Sequence, residues 1–149
     1  AAYRFQSETL SWQSAASRRI SARISYSRGS FYGGKQKELE LSNTIHFSPQ
    51  FRTTVEYLYN RVNLPAGNFS TIVARLRFNY SFNPNTSIGG LLQWNSTTEE
   101  FSANIVFRFI YARDSNLYFV YNERQSDRAS GWVLGQRAAI FKLTYRLYL

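Results

Sequence analysis

Apolar and polar side chains alternate one by one along most of the chain. In the segment 72–80, Leu76 and Phe78 fall on one side of an extended chain, while Arg75 and Arg77 fall on the other. Successive side chains of a β-strand point to opposite faces, so this period of two predicts strands. Helical spacing is not combined with capping residues in any segment, and we therefore expect an all-β fold.

The alternation predicts eight strands and a ninth, less regular candidate. A chain of 149 residues is long enough for one domain. We expect an irregular N-terminal segment at 1–18 and a domain of β-barrel strands at 19–149. The predicted strands are 19–28, 35–47, 51–61, 69–82, 86–95, 101–112, 116–123 and 137–149, with 3–13 as the doubtful ninth.

The candidate at 3–13 is a poor barrel strand, because Tyr3, Phe5, Leu10 and Trp12 do not keep one parity. A ninth strand would also leave an unpaired edge in a barrel, and single-chain bacterial barrels have even strand numbers. We therefore expect 3–13 to lie outside the barrel wall or to pair with strands of a larger barrel or of a partner chain.

Short and long connections alternate along the chain. The segments 48–50, 83–85 and 113–115 are rich in turn-forming residues, whereas 29–34, 62–68, 96–100 and 125–136 predict longer loops. Short turns at one end and loops at the other are typical of outer-membrane barrels, where the turns face the periplasm. This asymmetry predicts a periplasmic turn end and a periplasmic C-terminus.

Alternation alone fits two kinds of barrel. A soluble ligand-binding barrel is apolar inside, whereas a transmembrane barrel is apolar outside. Aromatic residues near the predicted strand ends favour the second kind, since they form two belts at the height of the lipid headgroups. The predicted interfacial aromatics are Tyr26, Tyr59, Trp94 and Tyr121 at the loop end, and Phe47, Phe51, Tyr80 and Tyr111 at the turn end.

The opposite face carries mainly small polar residues and a few charges, which favours a narrow barrel interior over a surface open to water. Simple hairpin registers place Glu40 opposite Arg23 and Glu56 opposite Arg75, so these charges are expected to pair across strands. The predicted charge network of the lumen comprises Arg23, Glu38, Glu40, Glu56, Arg75, Arg77, Arg108, Lys142 and Arg146.

The composition narrows the function further. The formal charge of +9 comes from 18 Lys and Arg residues that are spread along the chain. A nucleic-acid platform needs aromatic and basic residues on one face, and here they segregate, so nucleic-acid binding is not expected. Because the chain contains no Cys, thiolate metal sites and disulfides are excluded. We expect no metal and no cofactor.

Several strand segments resemble the C-terminal barrel region of a family of large Gram-negative outer-membrane proteins. The N-terminal part of those proteins is similar to family 9 carbohydrate-binding modules. The likeness covers about residues 19–149 and implies an outer-membrane barrel without a known reaction. The segments are Gly67-Asn68-Phe69-Ser70-Thr71, Leu76-Arg77-Phe78-Asn79-Tyr80-Ser81-Phe82-Asn83-Pro84, Gln93-Trp94-Asn95-Ser96, Phe107-Arg108-Phe109-Ile110-Tyr111, Leu117-Tyr118-Phe119-Val120-Tyr121-Asn122-Glu123 and Phe141-Lys142-Leu143-Thr144-Tyr145.

One short motif offers an enzymatic alternative. His46 and Ser48, with Glu56 further along, resemble the His-x-Ser arrangement of outer-membrane lipid A deacylases, in which Ser is the nucleophile and His the base. The predicted topology places His46 at the periplasmic end, although a lipid A enzyme acts in the outer leaflet. A His that ends a strand beside a turn explains the motif without catalysis.

The sequence therefore predicts an antiparallel up-and-down transmembrane β-barrel of about eight strands, or one arc of a larger barrel, in the bacterial outer membrane. Its expected role is structural or transport-related and not catalytic. The expected partners are membrane lipid and lipopolysaccharide, together with further barrel strands or partner chains if the chain is one arc. A lipid-modifying enzyme and a soluble ligand-binding barrel are the alternatives.

Overall fold

A computed structural model describes residues 6–128 and 131–146, which form one antiparallel sheet with its strands in chain order. None of the described residues belongs to a helix long and apolar enough to cross a membrane. The strands are β1 (Ser7–Gln13), β2 (Ile20–Phe31), β3 (Gly34–His46), β4 (Phe51–Leu64), β5 (Gly67–Asn83), β6 (Thr86–Asn95), β7 (Glu100–Ala112), β8 (Ser115–Arg128) and β9 (Gly131–Thr144).

The prediction of eight strands with an irregular segment at 1–18 is wrong for residues 7–13, which form β1. Every residue of β1 pairs with β2, from Ser7 opposite Gly29 to Gln13 opposite Arg23. Within these seven residues the alternation is regular, since Leu10 and Trp12 share one face. Including Tyr3 and Phe5 in the candidate strand obscured this regularity, and those two residues lie outside the described part of the chain.

The sheet is open in the described part of the chain. Strands β2 to β8 each pair with two neighbours, whereas β1 pairs with β2 and β9 pairs with β8. The accessible surface is 10988 Å². A compact monomer of 17.3 kDa has about 7,800 Å² by the usual scaling of surface with mass. The excess means that neither face of the sheet is covered as a soluble core would be.

A bulge in β9 explains why the predicted loop at 125–136 is wrong. Arg124 pairs with Gln136 and Gln125 pairs with Leu134, so Gly135 is an extra residue between two regular stretches. Because one extra residue reverses the parity of a strand, the period of two is lost there in the sequence. The bulge keeps Leu134 on the apolar face of the sheet, where an unbroken strand would have turned it to the polar face.

We expect deletion of Gly135 to be tolerated and deletion of Gly90 to prevent folding. Without Gly135 the pairings of Gln136 and Leu134 stay as they are, whereas Gly90 is a regular position opposite Phe78 and Ile105. Removing it turns one half of β6 to the wrong face. The yield of refolded protein, read from heat-modifiable gel mobility, compares the two variants. Similar yields would contradict the assignment of the bulge.

The predicted contrast between short turns and long loops is also wrong. Two residues, Tyr32 and Gly33, connect β2 to β3, and two residues connect β4 to β5. Tyr32 and Gly33 both have positive φ, 43° and 81°, as a type I′ hairpin requires. At the turn end the connections β1–β2 and β3–β4 have six and four residues. Loop length therefore does not distinguish the two ends of this sheet.

Candidate membrane interface and polar row

One face of the sheet, the apolar face, carries most of the exposed large apolar side chains. Along β3, β4 and β5 its apolar and aromatic positions extend over 39–47, 51–59 and 72–80. Each range covers nine residues, and the first extends one residue past the end of β3. Nine residues span about 26 Å along a strand. Exposed members of this face include Leu10, Trp12, Ile20, Ile24, Val55, Phe119, Phe141 and Leu143.

Aromatic rings line the apolar face at its turn end and contact one another in series. Phe47 stacks on Phe51 with centroids 5.0 Å apart, Phe51 meets Tyr80 at 5.9 Å, and Tyr80 meets Phe82 edge to face at 4.7 Å. These four rings, which we name the turn-end belt, come from the turn after β3, from β4 and from β5. At the same end the Tyr111 hydroxyl donates to the Thr144 carbonyl at 3.0 Å.

The three tryptophans of the chain all lie on the apolar face, towards the loop end. Trp12 and Trp94 occupy one row across the sheet through the pairs of β1 to β6, and Trp132 pairs with Asp127 beyond the bulge. Each is at least 36% exposed. Of the predicted interfacial aromatics, Tyr26 and Tyr59 belong to the next row. The predicted strand-end position of Tyr121 is wrong, because β8 continues seven residues beyond it.

A line of cations, which we name the cationic row, crosses the apolar face just beyond these aromatics. Arg28 pairs with Lys37, and Lys37 pairs with Arg61. All three side chains are exposed, and the Arg28 guanidinium donates to Glu8 at 2.7 and 2.9 Å. With Lys35, Arg28 and Lys37 line an open depression of about 750 Å³. The sequence analysis did not predict this row, although Arg28, Lys37 and Arg61 have the same parity as the apolar residues of their strands.

On the other face, the polar face, one row is polar in all nine strands. Its members come from successive register pairs, so they lie side by side across the whole sheet. This polar row consists of Gln13, Arg23, Ser42, Glu56, Arg75, Gln93, Ser102, Arg124 and Gln136.

Hydrogen bonds run along the polar row. Arg23 donates through Nε and a terminal nitrogen to the Gln13 amide oxygen at 3.1 and 2.7 Å. Arg75 donates to the Gln93 amide oxygen at 3.0 Å and lies 3.8 Å from the Glu56 carboxylate. In a neighbouring row, Asn104 donates to Asn122 across β7 and β8. Amide groups therefore take more of the arginine donors here than carboxylates do.

The predicted charge network is assembled in part. Glu56 lies opposite Arg75, as predicted. The predicted pairing of Glu40 with Arg23 is wrong, because the two-residue β2–β3 turn shifts the register and places Glu40 opposite Ser25. The remaining strand members of the network share the polar face with these residues, and they are Glu38, Arg77, Arg108 and Lys142.

Arg146 does not belong to the charge network. β9 ends at Thr144, and the Arg146 backbone N–H donates to the Ser115 hydroxyl at 3.2 Å. Its guanidinium lies 3.2 Å from Asp114 in the β7–β8 turn. The sequence alternation through the end of the chain assigned Arg146 to the strand, whereas this hydrogen bond directs it to the turn.

The polar face is the more enclosed of the two. Among the described residues, the buried apolar side chains are Val62 and Val73, at 2% and 9% exposure. Both lie on the polar face, as does Asn60, whose Oδ1 atom is shielded from solvent. Side chains converge on the concave side of a curved sheet, so this burial indicates that the polar face is concave.

The structure does not assemble the His-Ser-Glu arrangement. The Ser48 hydroxyl accepts hydrogen bonds from the backbone N–H groups of Gln50 and Phe51 at 3.2 and 3.1 Å, which is a turn cap. His46 lies opposite Arg52, and Glu56 is four residues further along β4. At about 3.3 Å per residue that is about 13 Å away, too far for a carboxylate that must orient the imidazole.

Besides Arg28 and Glu8, the described part of the apolar face contains a second charged pair that the sequence analysis did not predict. Glu123 and Arg137 lie opposite each other, 3.2 Å apart, and the Glu123 side chain is only 12% exposed. Tyr121 and Gln125 also donate hydrogen bonds to the Glu123 carboxylate. Because each charge is matched by the other, this patch has no net charge.

No protein-family model and no curated protein matches the chain. Among solved structures, the chain is similar to the KdgM porin determined in complex with disordered oligogalacturonate. The TM-score is 0.49 and the sequence identity is 10%, over 93% of this chain and 72% of the porin. A likeness at this level indicates nothing about what this chain binds.

We expect Glu56→Gln to cost up to about 1 kcal/mol of unfolding free energy. A buried pair would cost more when broken, about 3 to 5 kcal/mol. Here, however, the Glu56 and Arg75 side chains are 36% and 41% exposed, so solvent screens their attraction. Glu99→Gln in the β6–β7 connection is the control, because it makes the same change of charge outside the polar row. Denaturant midpoints separate the two, and a loss of several kcal/mol for Glu56→Gln would contradict the exposure.

Proposed function

We propose that the nine strands are part of the wall of a bacterial outer-membrane β-barrel. The apolar face contacts lipid, and the polar face lines the interior. The observation that carries this proposal is the exposed apolar face, nine residues high and bounded by aromatic rings. Transmembrane strands need about 9 to 11 residues, and outer-membrane barrels show an apolar band between two aromatic girdles.

The arrangement of the faces favours lipid over an apolar interior. In a soluble barrel the apolar side chains converge inside and are the most buried. Here the buried Val62 and Val73 belong to the polar face, while Leu10 and Phe141 on the apolar face are 77% and 63% exposed. A contiguous apolar surface of this extent is far larger than soluble monomers expose.

The proposed role is structural or transport-related and not catalytic. The polar row carries Arg23, Arg75 and Arg124 against Glu56, so its strand residues have an excess of two positive charges. Rings of arginine favour the passage of anions through a pore. If the complete barrel is wide enough for an open lumen, this row favours small anionic solutes.

Tryptophan quenching by brominated lipids tests the proposal directly. Trp12, Trp94 and Trp132 all lie on the apolar face towards one end, so bromine near the headgroups should quench their fluorescence more strongly than bromine near the bilayer centre. A control variant carries Phe at the three positions and Trp in place of Asn104 on the polar face, and it should not be quenched. Equal emission of the unmodified protein in brominated and ordinary lipid would refute a lipid-facing apolar face.

We further propose that the cationic row binds the phosphates of lipopolysaccharide. Arg28, Lys37 and Arg61 lie just beyond the aromatic rows, at the height where lipid headgroups would lie. Basic side chains near an anionic lipid surface contribute about 1 kcal/mol each. This assignment makes the loop end of the sheet the outer-leaflet end.

We expect lipopolysaccharide to raise the thermal unfolding midpoint of the protein in neutral detergent, and the double variant Lys37→Glu/Arg61→Glu to lose this shift. The control is Arg77→Glu/Arg108→Glu, which makes the same charge change on the polar face. Inorganic phosphate alone should have little effect, because one small ion does not span the row. An undiminished shift in the Lys37/Arg61 variant would contradict the assignment.

A further inference from the structure

The two edge strands carry information about what completes the barrel. In the described residues, the outer edges of β1 and β9 have no strand partner. Unpaired backbone N–H and C=O groups cost several kcal/mol each in the hydrocarbon region of a bilayer, so transmembrane strands occur only in closed barrels. If the apolar face contacts lipid, both edges must be paired in the membrane. The inference that follows therefore rests on the proposed function.

Direct pairing of β1 with β9 conflicts with the directions of the strands. All eight neighbouring pairs of the sheet are antiparallel. Each step reverses the direction, so after eight steps β9 runs the same way as β1. Closing the sheet on itself would therefore create one parallel pair in an otherwise antiparallel sheet.

A second copy of the sheet does not solve the problem. Two copies inserted in the same orientation have parallel β1 strands and parallel β9 strands, because the symmetry axis is normal to the membrane. Pairing β9 of one copy with β1 or β9 of the other would again be parallel. The missing strands must therefore differ from a complete copy of these nine.

We propose that an odd number of additional amphipathic strands, which are not a second copy of this sheet, joins β1 to β9 and closes the barrel. An odd number restores antiparallel pairing at both edges and brings the total to an even number, as in bacterial single-chain barrels. The smallest such barrel has ten strands, and three or more additional strands widen the lumen further.

The side chains at both edges define what the added strands must present. On the apolar face, β1 presents Leu10 and Trp12 at one edge of the sheet, and β9 presents Phe141 and Leu143 at the other. All four side chains are more than half exposed. The neighbouring strand at each edge therefore needs apolar residues on that face. On the polar face the polar row ends in glutamine at both edges, at Gln13 and Gln136, so a polar residue beside each continues the row.

Disulfide scanning in native membranes tests the closure, and it is clean because the chain contains no Cys. Cysteines at 9, 11 and 13 in β1 are combined in turn with cysteines at 138, 140 and 142 in β9, which lie on the same face. The positive control is Thr44→Cys with Thr54→Cys, whose hydroxyls are 3.0 Å apart across β3 and β4. We expect the control to form an intramolecular disulfide and the β1–β9 combinations to form none.

Hydrogen exchange on the same membranes supplies the second readout. The β9 amides that do not point towards β8 should be protected, since the first added strand accepts their hydrogen bonds. Rapid exchange of these amides would overturn the proposal. So would a β1–β9 disulfide within one chain, or a disulfide that joins the β9 edges of two copies or β9 of one copy to β1 of the other.

The experiment is interpreted on samples whose tryptophans are quenched by brominated lipid. Failure of the closure in such samples leaves the lipid-facing assignment intact. Absence of quenching refutes the proposed function itself, so the two failures are distinguishable.

Discussion

Leu92→Lys will lower the unfolding free energy in lipid vesicles by about 2 to 4 kcal/mol more than Leu91→Lys. The two leucines are neighbours in β6, a central strand, and differ in the face that they occupy. Leu92 lies between Leu76 and Ala103 on the apolar face, near mid-height. A lysine on the lipid-facing side at the bilayer midplane costs about 2 to 4 kcal/mol.

Leu91 is the matched control, because the same residue type changes to the same charge one position away. It lies on the polar face between Arg77 and Asn104. A lysine there meets polar neighbours and loses only the modest amount that like charges on adjacent strands cost, about 0.2 to 1 kcal/mol. Unfolding by denaturant in vesicles of one lipid composition gives both values. Equal losses, or a greater loss for Leu91→Lys, would show that the faces are wrongly assigned.

Removal of detergent will precipitate the folded protein. The apolar face exposes large side chains from one edge of the sheet to the other, and the accessible surface exceeds that of a compact monomer by about 3,000 Å² by mass scaling. In water such a surface associates with other copies, because each contact removes apolar area from solvent. Size-exclusion chromatography with light scattering follows the loss of monodisperse protein as detergent is diluted.

The complementary result would favour the soluble alternative. A folded, monodisperse sample in plain buffer would mean that the apolar side chains of the sheet are covered by protein and not by lipid. In that case the tryptophans would also be insensitive to brominated lipid. Detergent removal and tryptophan quenching are therefore two independent tests of whether lipid covers the apolar face.

The alternation of side chains was sufficient to predict most of the fold. Strands β2 to β7 lie within a few residues of their predicted bounds, since in each of them most apolar side chains keep one parity. The opposition of Glu56 and Arg75 was predicted correctly because the expected loop at 62–68 and the observed turn at 65–66 have nearly the same centre. These features depend on the spacing of side chains within one strand or one hairpin, which can be read from the sequence.

The remaining features depend on information that local spacing does not contain. Gly135 reverses the parity within β9, so the sequence of this strand lacks a continuous alternation and resembles a loop. The bulge is visible only in the register with β8, at Arg124. The cationic row consists of residues from three strands, and the registers of these strands are needed to see that the residues are neighbours. The shift of Glu40 by two residues likewise follows from the tight turn at Tyr32 and Gly33, which the sequence analysis predicted as a longer loop.

If the loop end faces the outside of the cell, as proposed above, its short hairpins affect how proteases can attack it. The described connections there have two residues at 32–33 and 65–66 and four at 96–99. Exposed loop tips are the preferred sites of proteolytic cleavage. Because two of these connections leave only two residues outside the strands, they present little accessible backbone, and we expect this end of the sheet to resist proteolysis.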